Sequence, residues 1–215
     1  LSSSNRISKL NQSNKASFVS LMSSAFAQDP IFLHIFGHSE CNEQARRHTA
    51  HFFSFLFDKS EWLHEDVWGY FENEKLLGAY IIEKPATNTI KPMDIVKLLG
   101  RLISLACRLP IRKIQQLNKY MQVTRSMAPR TAHHYLIMIG VAPEAQGKGI
   151  GKALLHHLLH DVDSCPLSHG VALDTENKSN TALYEKFGFV LMREARLDHV
   201  PVYGMFRPRQ QKSTM

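Results

Sequence analysis

Apolar residues recur at helical spacing from Ser13 to Phe26, where Phe18, Leu21, Met22, Ala25 and Phe26 share one stripe, and the pattern stops before Asp29-Pro30. Glu43 to Asp58 repeats it, with Phe52, Phe53, Leu56 and Phe57 on the inward side. The period then changes. Val67 to Phe71 and Leu76 to Ile82 are strand-like runs separated by the polar Asn73-Glu74, which predicts an antiparallel hairpin. From Thr87 to Ala132 the strand pattern lapses, and Pro92 to Leu109 and Ile111 to Val123 read as two helices broken at Pro110. This stretch, about residues 88–130, is expected to be an inserted helical cover.

His134 to Val141 is a continuous apolar run of strand length, stopped by Pro143, which has no amide for a ladder. Beyond it the chain predicts a helix from Gly147 to Asp161, a strand from Val171 to Asp174 and a short helix from Ser179 to Phe187. Strands at Phe189 to Arg196 and Val200 to Phe206 complete the pattern. Alternation of this kind predicts a mixed α/β sheet with helices on both faces, and the length of 215 residues suits a single domain, 1–215.

Composition adds little to this picture and removes some alternatives. With 44% hydrophobic and 21% charged residues the chain is an ordinary globular one. Cys41, Cys107 and Cys165 lack paired spacing and read as free thiols of a reducing compartment, so the cytoplasm is the expected location. The first residue is Leu1 rather than Met, as in a trimmed terminus, and no secretory signal follows the serine-rich start. The most apolar stretch, Leu98 to Ile111, is broken by Arg101, Arg108 and Pro110, and no membrane partner is expected. The net charge of +7 is scattered, apart from local density at Arg108 to Lys119, Gly147 to Lys152 and the tail from Arg207. No nucleic-acid motif accompanies it, whereas a small polyanion needs only the second cluster.

That cluster carries the chemistry. Gly147, Gly149 and Gly151 lie between a buried strand and an amphipathic helix, where they let backbone approach a ligand and leave amides free. A helix N-terminus flanked by Lys148 and Lys152 favours phosphate. Two nucleotide motifs fail by register. A phosphate-binding Walker loop needs Gly at 146 and Ser or Thr at 153, where Gln146 and Ala153 stand, and a dinucleotide fingerprint from Gly147 needs a small residue at Lys152.

The pattern Gln146-x-x-Gly149-x-Gly151 resembles the cofactor loop of the GCN5-related N-acetyltransferases. The similarity extends in order through His134-Tyr135-Leu136, Gly140-Val141-Ala142-Pro143, Leu173-Asp174-Thr175, Asn180 to Phe189 with Tyr184-Glu185-Lys186-Phe187-Gly188-Phe189, and Tyr203 to Arg207. It is strongest over Ala132 to Arg207 and includes Ala25-Phe26 and Asp29-Pro30 more weakly. The His-aromatic-Leu lead into the strand is most similar to the puromycin N-acetyltransferase-like branch. The resemblance implies a sheet splayed between its fourth and fifth strands, with acetyl-CoA as co-substrate and no metal. Pantetheine would run along Ile139, Gly140 and Val141, and the pyrophosphate would sit on Gln146, Gly147, Lys148, Gly149, Ile150, Gly151 and Lys152. Asn177 or Asn180 would lie near pantetheine; both spacings occur in the family.

It also implies direct attack of a small-molecule primary amine on the thioester in a ternary complex, in a monomer or homodimer. A protein or peptide acceptor and a non-catalytic CoA sensor are the alternatives. Alkyl amines hold their proton to about 10.4 while a departing thiol has a pKa near 8.5, so the reaction needs a base and a proton donor. Tyr184 stands where the family often has its acid, and a core tyrosine is the plainer reading. Glu176 is the candidate base, with Glu83, His133 and His134 as others and ordered water as an option. His156, His157 and His160 have helical spacing but no His-Glu-x-x-His pattern, and a solvated face is expected. Cys165 before Pro166 reads as a loop thiol, and Phe52, Phe53, Phe55 and Phe57 as core.

Overall fold

The computed structural model describes residues 5–63, 65–85 and 92–210. Its first element is a strand, β1 (Asn5–Lys9), too polar and too short to carry a sequence signal, which pairs antiparallel with β2. Helix α1 (Lys15–Ala25) buries Phe18, Leu21 and Met22 at the expected spacing. Asp29-Pro30 does not merely end that pattern. It opens a second helix, α2 (Pro30–Phe36), because the Asp29 carboxylate accepts the amides of Ile31 and Phe32 at 3.0 and 3.3 Å and proline suits the first helical position. Gly37, at φ 86°, closes it. Helix α3 (Glu43–Trp62) is capped by Asn42 and runs one turn past the expected end; Phe53 and Phe57 are buried, with Phe52 and Phe55 packed against the same core.

The hairpin forms as read, β2 (Asp66–Glu72) and β3 (Lys75–Glu83), with Asn73 and Glu74 both at positive φ, the two-residue turn whose twist suits paired strands. Helices α4 (Pro92–Arg108) and α5 (Ile111–Met127) follow, broken at Pro110. The start of the expected cover, residues 87–91, lies outside the described residues. Strand β4 (His134–Val141) leads through a short 3-10 turn at Pro143–Ala145 into α6 (Ile150–Ser164). Then come β5 (Gly170–Thr175), α7 (Lys178–Glu185), β6 (Val190–Leu197) and β7 (Val200–Pro208). Helix α6 begins three residues later than its pattern predicts, because Gly147 and Gly149 adopt φ 78° and 84° and hold the chain out of the helix.

The strands form one mixed seven-stranded sheet in the order β1-β2-β3-β4-β5-β7-β6, in which only β4 and β5 run parallel. Those two pair over His134 to Leu136 against Val171 to Leu173 and then part. Strand β4 stays on β3 to Val141, with an extra residue at Ile137 opposite the Ile81 to Ile82 step, a bulge that bends it away. The β5-side edge of Ile137 to Val141 is therefore without a strand partner.

Close-packed glycines show which helix covers which face. A Cβ at Gly140 would stand 3.0–3.2 Å from Met22, Ala25 and Phe26 of the α1 region, whereas one at Gly78 would meet Ile150 and Leu154 of α6 at 2.8 and 2.9 Å. These two glycines belong to opposite faces of the sheet. Helix α5 lies on the α1 side, with Met127 Cβ 2.8 Å from the position a Cβ of Gly204 would take. No described helix is long and apolar enough to cross a membrane.

Candidate active site

The splay between β4 and β5 has two walls of opposite character. On the first, β4 delivers the chain through the 3-10 turn to the glycine loop. Gln146 holds the turn by donating from Nε2 to the Val141 carbonyl at 3.3 Å. Gly149 stands in the N-cap position of α6 without a side-chain cap, so amides of the first helical turn have no intrahelical acceptor. Nothing lies within 4 Å of where a Cβ would be at Gly147 or Gly149, and Lys148 and Lys152 are exposed beside them. Open space, free amides, the positive end of a 15-residue helix and two ammonium groups suit a phosphate-bearing ligand. Ile139 and Val141 are half-buried on the α6 side and Gly140 faces α1, all three on the unpaired stretch of β4.

The second wall is acidic and aromatic. Strand β5 ends in Asp174, Thr175 and Glu176, and Glu176 is 8% exposed. Tyr120, on α5, lies with its hydroxyl 2.6 Å from Glu176 Oε1 and also bonds Asp174 Oδ2, while Tyr135 of β4 donates to Asp174 Oδ1. Burial, followed by the charges of Asp174 and Asp29, pushes the Glu176 carboxyl up to about 8. Asp174 is also raised, by burial, against the bonds from Tyr120 and Tyr135. Asp29 rises to about 6, because burial outweighs its two amide bonds.

Tyr184 of α7 is buried against Phe189, and its hydroxyl has no hydrogen-bond partner among the described residues. Burial first, then Asp174, Glu176 and Asp29, raise its pKa, so the phenol keeps its proton through neutral pH. A carboxyl titrating near neutrality and a protonated phenol thus adjoin one acidic cluster, the pairing that proton transfer in two directions requires.

The remaining sequence candidates fall elsewhere. Asn177 caps α7 by accepting the Ser179 amide at 2.9 Å, and Asn180 donates to Thr175 Oγ1 at 3.3 Å. Glu83 pairs with Arg125. His133 meets the Thr131 carbonyl with Nδ1 at 2.6 Å. His134 is buried with Nδ1 2.8 Å from Ser168 Oγ, and burial lowers its pKa to about 4; since Ser168 donates to the Gly170 carbonyl, the ring nitrogen is the donor. His157 is not on a solvated face as expected: it is half-buried, Nδ1 2.8 Å from the Tyr80 hydroxyl and packed on Trp68, while His156 and His160 are exposed. A hollow of about 590 Å³ opens beside β1, where Asp66 already pairs with both Lys9 and Lys84. Sequence reasoning had assigned no role to Asp29, Tyr120, Tyr135 or Asp174. Asp29, Tyr135 and Asp174 lie in segments that carry the family resemblance, whereas Tyr120 lies in the helical stretch that carries none.

Comparison with known proteins bears on the fold and the family. A structure of histone acetyltransferase HPA2 and related acetyltransferase from Corynebacterium glutamicum superposes with a TM-score of 0.68 at 20% identity, over 98% of this chain and 99% of that one. Chaetomium thermophilum Naa20, in complex with a bisubstrate analogue, gives 0.53 at 14% identity over 94% and 86%. These likenesses establish the shared fold. A mycothiol acetyltransferase from Paenarthrobacter aurescens is 40% identical over 78 residues, 35% of this chain and 22% of that protein, so the match spans about a fifth of that relative's length. The profile of the Acetyltransferase (GNAT) family matches residues 36–189, and the chain belongs to that family of acetyltransferases.

Proposed function

We propose that this enzyme acetylates the primary amine of a small molecule, with acetyl-CoA and acceptor bound together in the splay. The observation that carries this reading is that Glu176, at the end of β5, and Tyr184, whose hydroxyl has no hydrogen-bond partner among the described residues, adjoin one buried acidic cluster that raises both. Acetyl-CoA, when bound, supplies the activated acyl group. On the chain's side, the free amides from Gly147 to Lys152 with Lys148 and Lys152 hold the pyrophosphate, and the open edge at Ile139 to Val141 hydrogen-bonds the pantetheine. Asn180, whose side chain is not used as a helix cap, is favoured over Asn177 beside it.

In its ionised form, reached above its raised pKa, Glu176 accepts a proton from the amine as nitrogen forms its bond to the acyl carbon. The carbon–sulfur bond breaks, and Tyr184 protonates the leaving thiolate. The Glu176 proton then restores the phenol, directly or through water, so a neutral amine and thioester become amide and thiol with no net proton change, and an acceptor that arrives as an ammonium first releases its extra proton to solvent. The acidic cluster of Asp29, Asp174 and Glu176 favours a cationic amine over an anionic acceptor. The helical cover across this wall and the His134-Tyr135-Leu136 resemblance favour a small acceptor over a peptide.

The test is acetyl-CoA-dependent thiol release against alkyl amines, amino acids, aminonucleosides and lysine peptides. The expected result is release with a small cationic amine. Turnover confined to peptides would overturn the acceptor class, and acetyl-CoA binding without turnover on any acceptor would point to a sensor.

A further inference from the structure

The second wall contains a proton-counting problem. Three hydrogen bonds join Tyr135 to Asp174, Tyr120 to Asp174 and Tyr120 to Glu176. Two phenols supply two protons. A third proton must reside on one of the two carboxyls, and Asp174, which can accept from both tyrosines, is the better supported anion. The proton therefore rests on Glu176, which donates to the Tyr120 oxygen while Tyr120 donates to Asp174.

Helix α5 is held firmly enough to impose this arrangement. Met127 packs over Gly204 on β7, Arg125 pairs with Glu83 on β3 and lies 4.2 Å from the Tyr135 ring centroid, and Lys119 bonds Asp198 in the β6–β7 turn at 2.8 Å. Lys113 reaches the Phe36 carbonyl of α2 at 3.0 Å. The helix is thus anchored on both sides of the splay, with Tyr120 near its middle.

We infer that Tyr120 is a positioning residue: its phenol joins Asp174 and Glu176 into one hydrogen-bonded unit with a single shared proton, through which the inserted helix governs the protonation of the base. The inference rests on Glu176 being that base. The groups facing the unit are Asp29 from the start of α2, Arg125 beside Tyr120 on α5, Tyr135 from β4 and Tyr184 from α7. Asp29 raises Glu176 and Arg125 lowers Asp174, so the charges on both sides of the unit keep the proton on the glutamate.

The titration itself needs no acceptor. In protein carrying ¹³C-labelled glutamate carboxyls, the Glu176 signal, assigned by its loss in Glu176→Gln, is titrated by NMR. A midpoint near 8 is expected in the wild type. Tyr120→Phe keeps the ring and removes the oxygen that accepts from the protonated Glu176 carboxyl, so the protonated form loses its partner and the midpoint should move down by about one pH unit or more, whereas a rise would mean that Tyr120 donates to Glu176 and would overturn the arrangement. Asp174→Asn removes the neighbouring charge and frees Tyr120 for Glu176, so there too the midpoint should fall; this second variant serves if the first does not fold. An unchanged midpoint in either folded variant overturns the shared unit. Turnover in Glu176→Gln separates the two readings. If it is lost while Tyr120→Phe leaves the midpoint in place, only the role of Tyr120 fails. If Glu176→Gln turns over at the wild-type rate, the base assignment fails and the positioning role with it.

Discussion

The two walls of the splay meet opposite physical demands. The Gln146 to Lys152 wall is exposed and positive and presents backbone amides whose directions are set by two left-handed glycines and the start of α6. The facing wall is largely buried and acidic and presents side chains from the cap of α2, from α5, β4 and α7, and from the end of β5. A phosphate site can be made from one short segment, because neighbouring amides at a helix end already converge. A proton-transfer site cannot. It needs unlike groups brought together in a desolvated place, and residues adjacent in sequence on a strand point to opposite faces.

This contrast can be broken most sharply at Tyr184. In Tyr184→Phe the ring packing on Phe189 remains and only the hydroxyl goes, so turnover at saturating amine should fall by about 10²–10⁴-fold. The rise in melting temperature on adding acetyl-CoA should persist. Full activity would reduce this residue to packing and leave water as the proton source.

Gly149→Val attacks the other wall. The new side chain fills the open space and is strained at φ 84°, so acetyl-CoA affinity measured by calorimetry should drop by roughly tenfold or more. A folded variant with wild-type affinity would move the phosphate site away from this loop.

A third expectation concerns stability. Glu176 and Asp29 bind protons more tightly folded than unfolded, so the stability these two groups contribute is fully present in acid and is lost as pH rises from the ordinary carboxylate values through about 6 for Asp29 and about 8 for Glu176. Glu176→Gln removes the larger part of that loss. Its melting temperature should exceed the wild type's by several degrees at pH 9 and differ little at pH 5. Equal curves would mean that Glu176 ionises without cost where it stands.

The smallest effect is expected at Asp29→Asn, which preserves the cap of α2 and deletes one charge. The Glu176 midpoint should fall, and KM for a cationic acceptor should rise by less than about tenfold, since a single partly screened charge is worth only about 1 kcal/mol. A loss of kcat larger than that would place Asp29 in the chemistry itself.

Much of the fold was legible because period and punctuation are local. The hairpin at Asn73-Glu74, the helix break at Pro110 and the β4 run announce themselves within a few residues. Strand β1 was not legible, because Asn5–Lys9 is mostly polar and is a strand only by pairing with β2. Helix α2 was signalled by Asp29-Pro30, but a seven-residue helix offers too few turns for its period to stand out beside the stronger α1 pattern.

For the site, the sequence alone determined the glycine loop, its register against nucleotide motifs, and the candidacy of Tyr184 and Glu176, since each rests on residues within one short segment. Only the tertiary structure decided that Asp29, Tyr120, Tyr135 and Asp174 share a wall with them, that His134 is turned away onto Ser168, and that β5 leaves β4 after Leu136. Nothing local could have said so. The raised carboxyl of Glu176 comes from burial and from charges at residues 29 and 174, and a pKa of that kind exists only once the chain has closed around it.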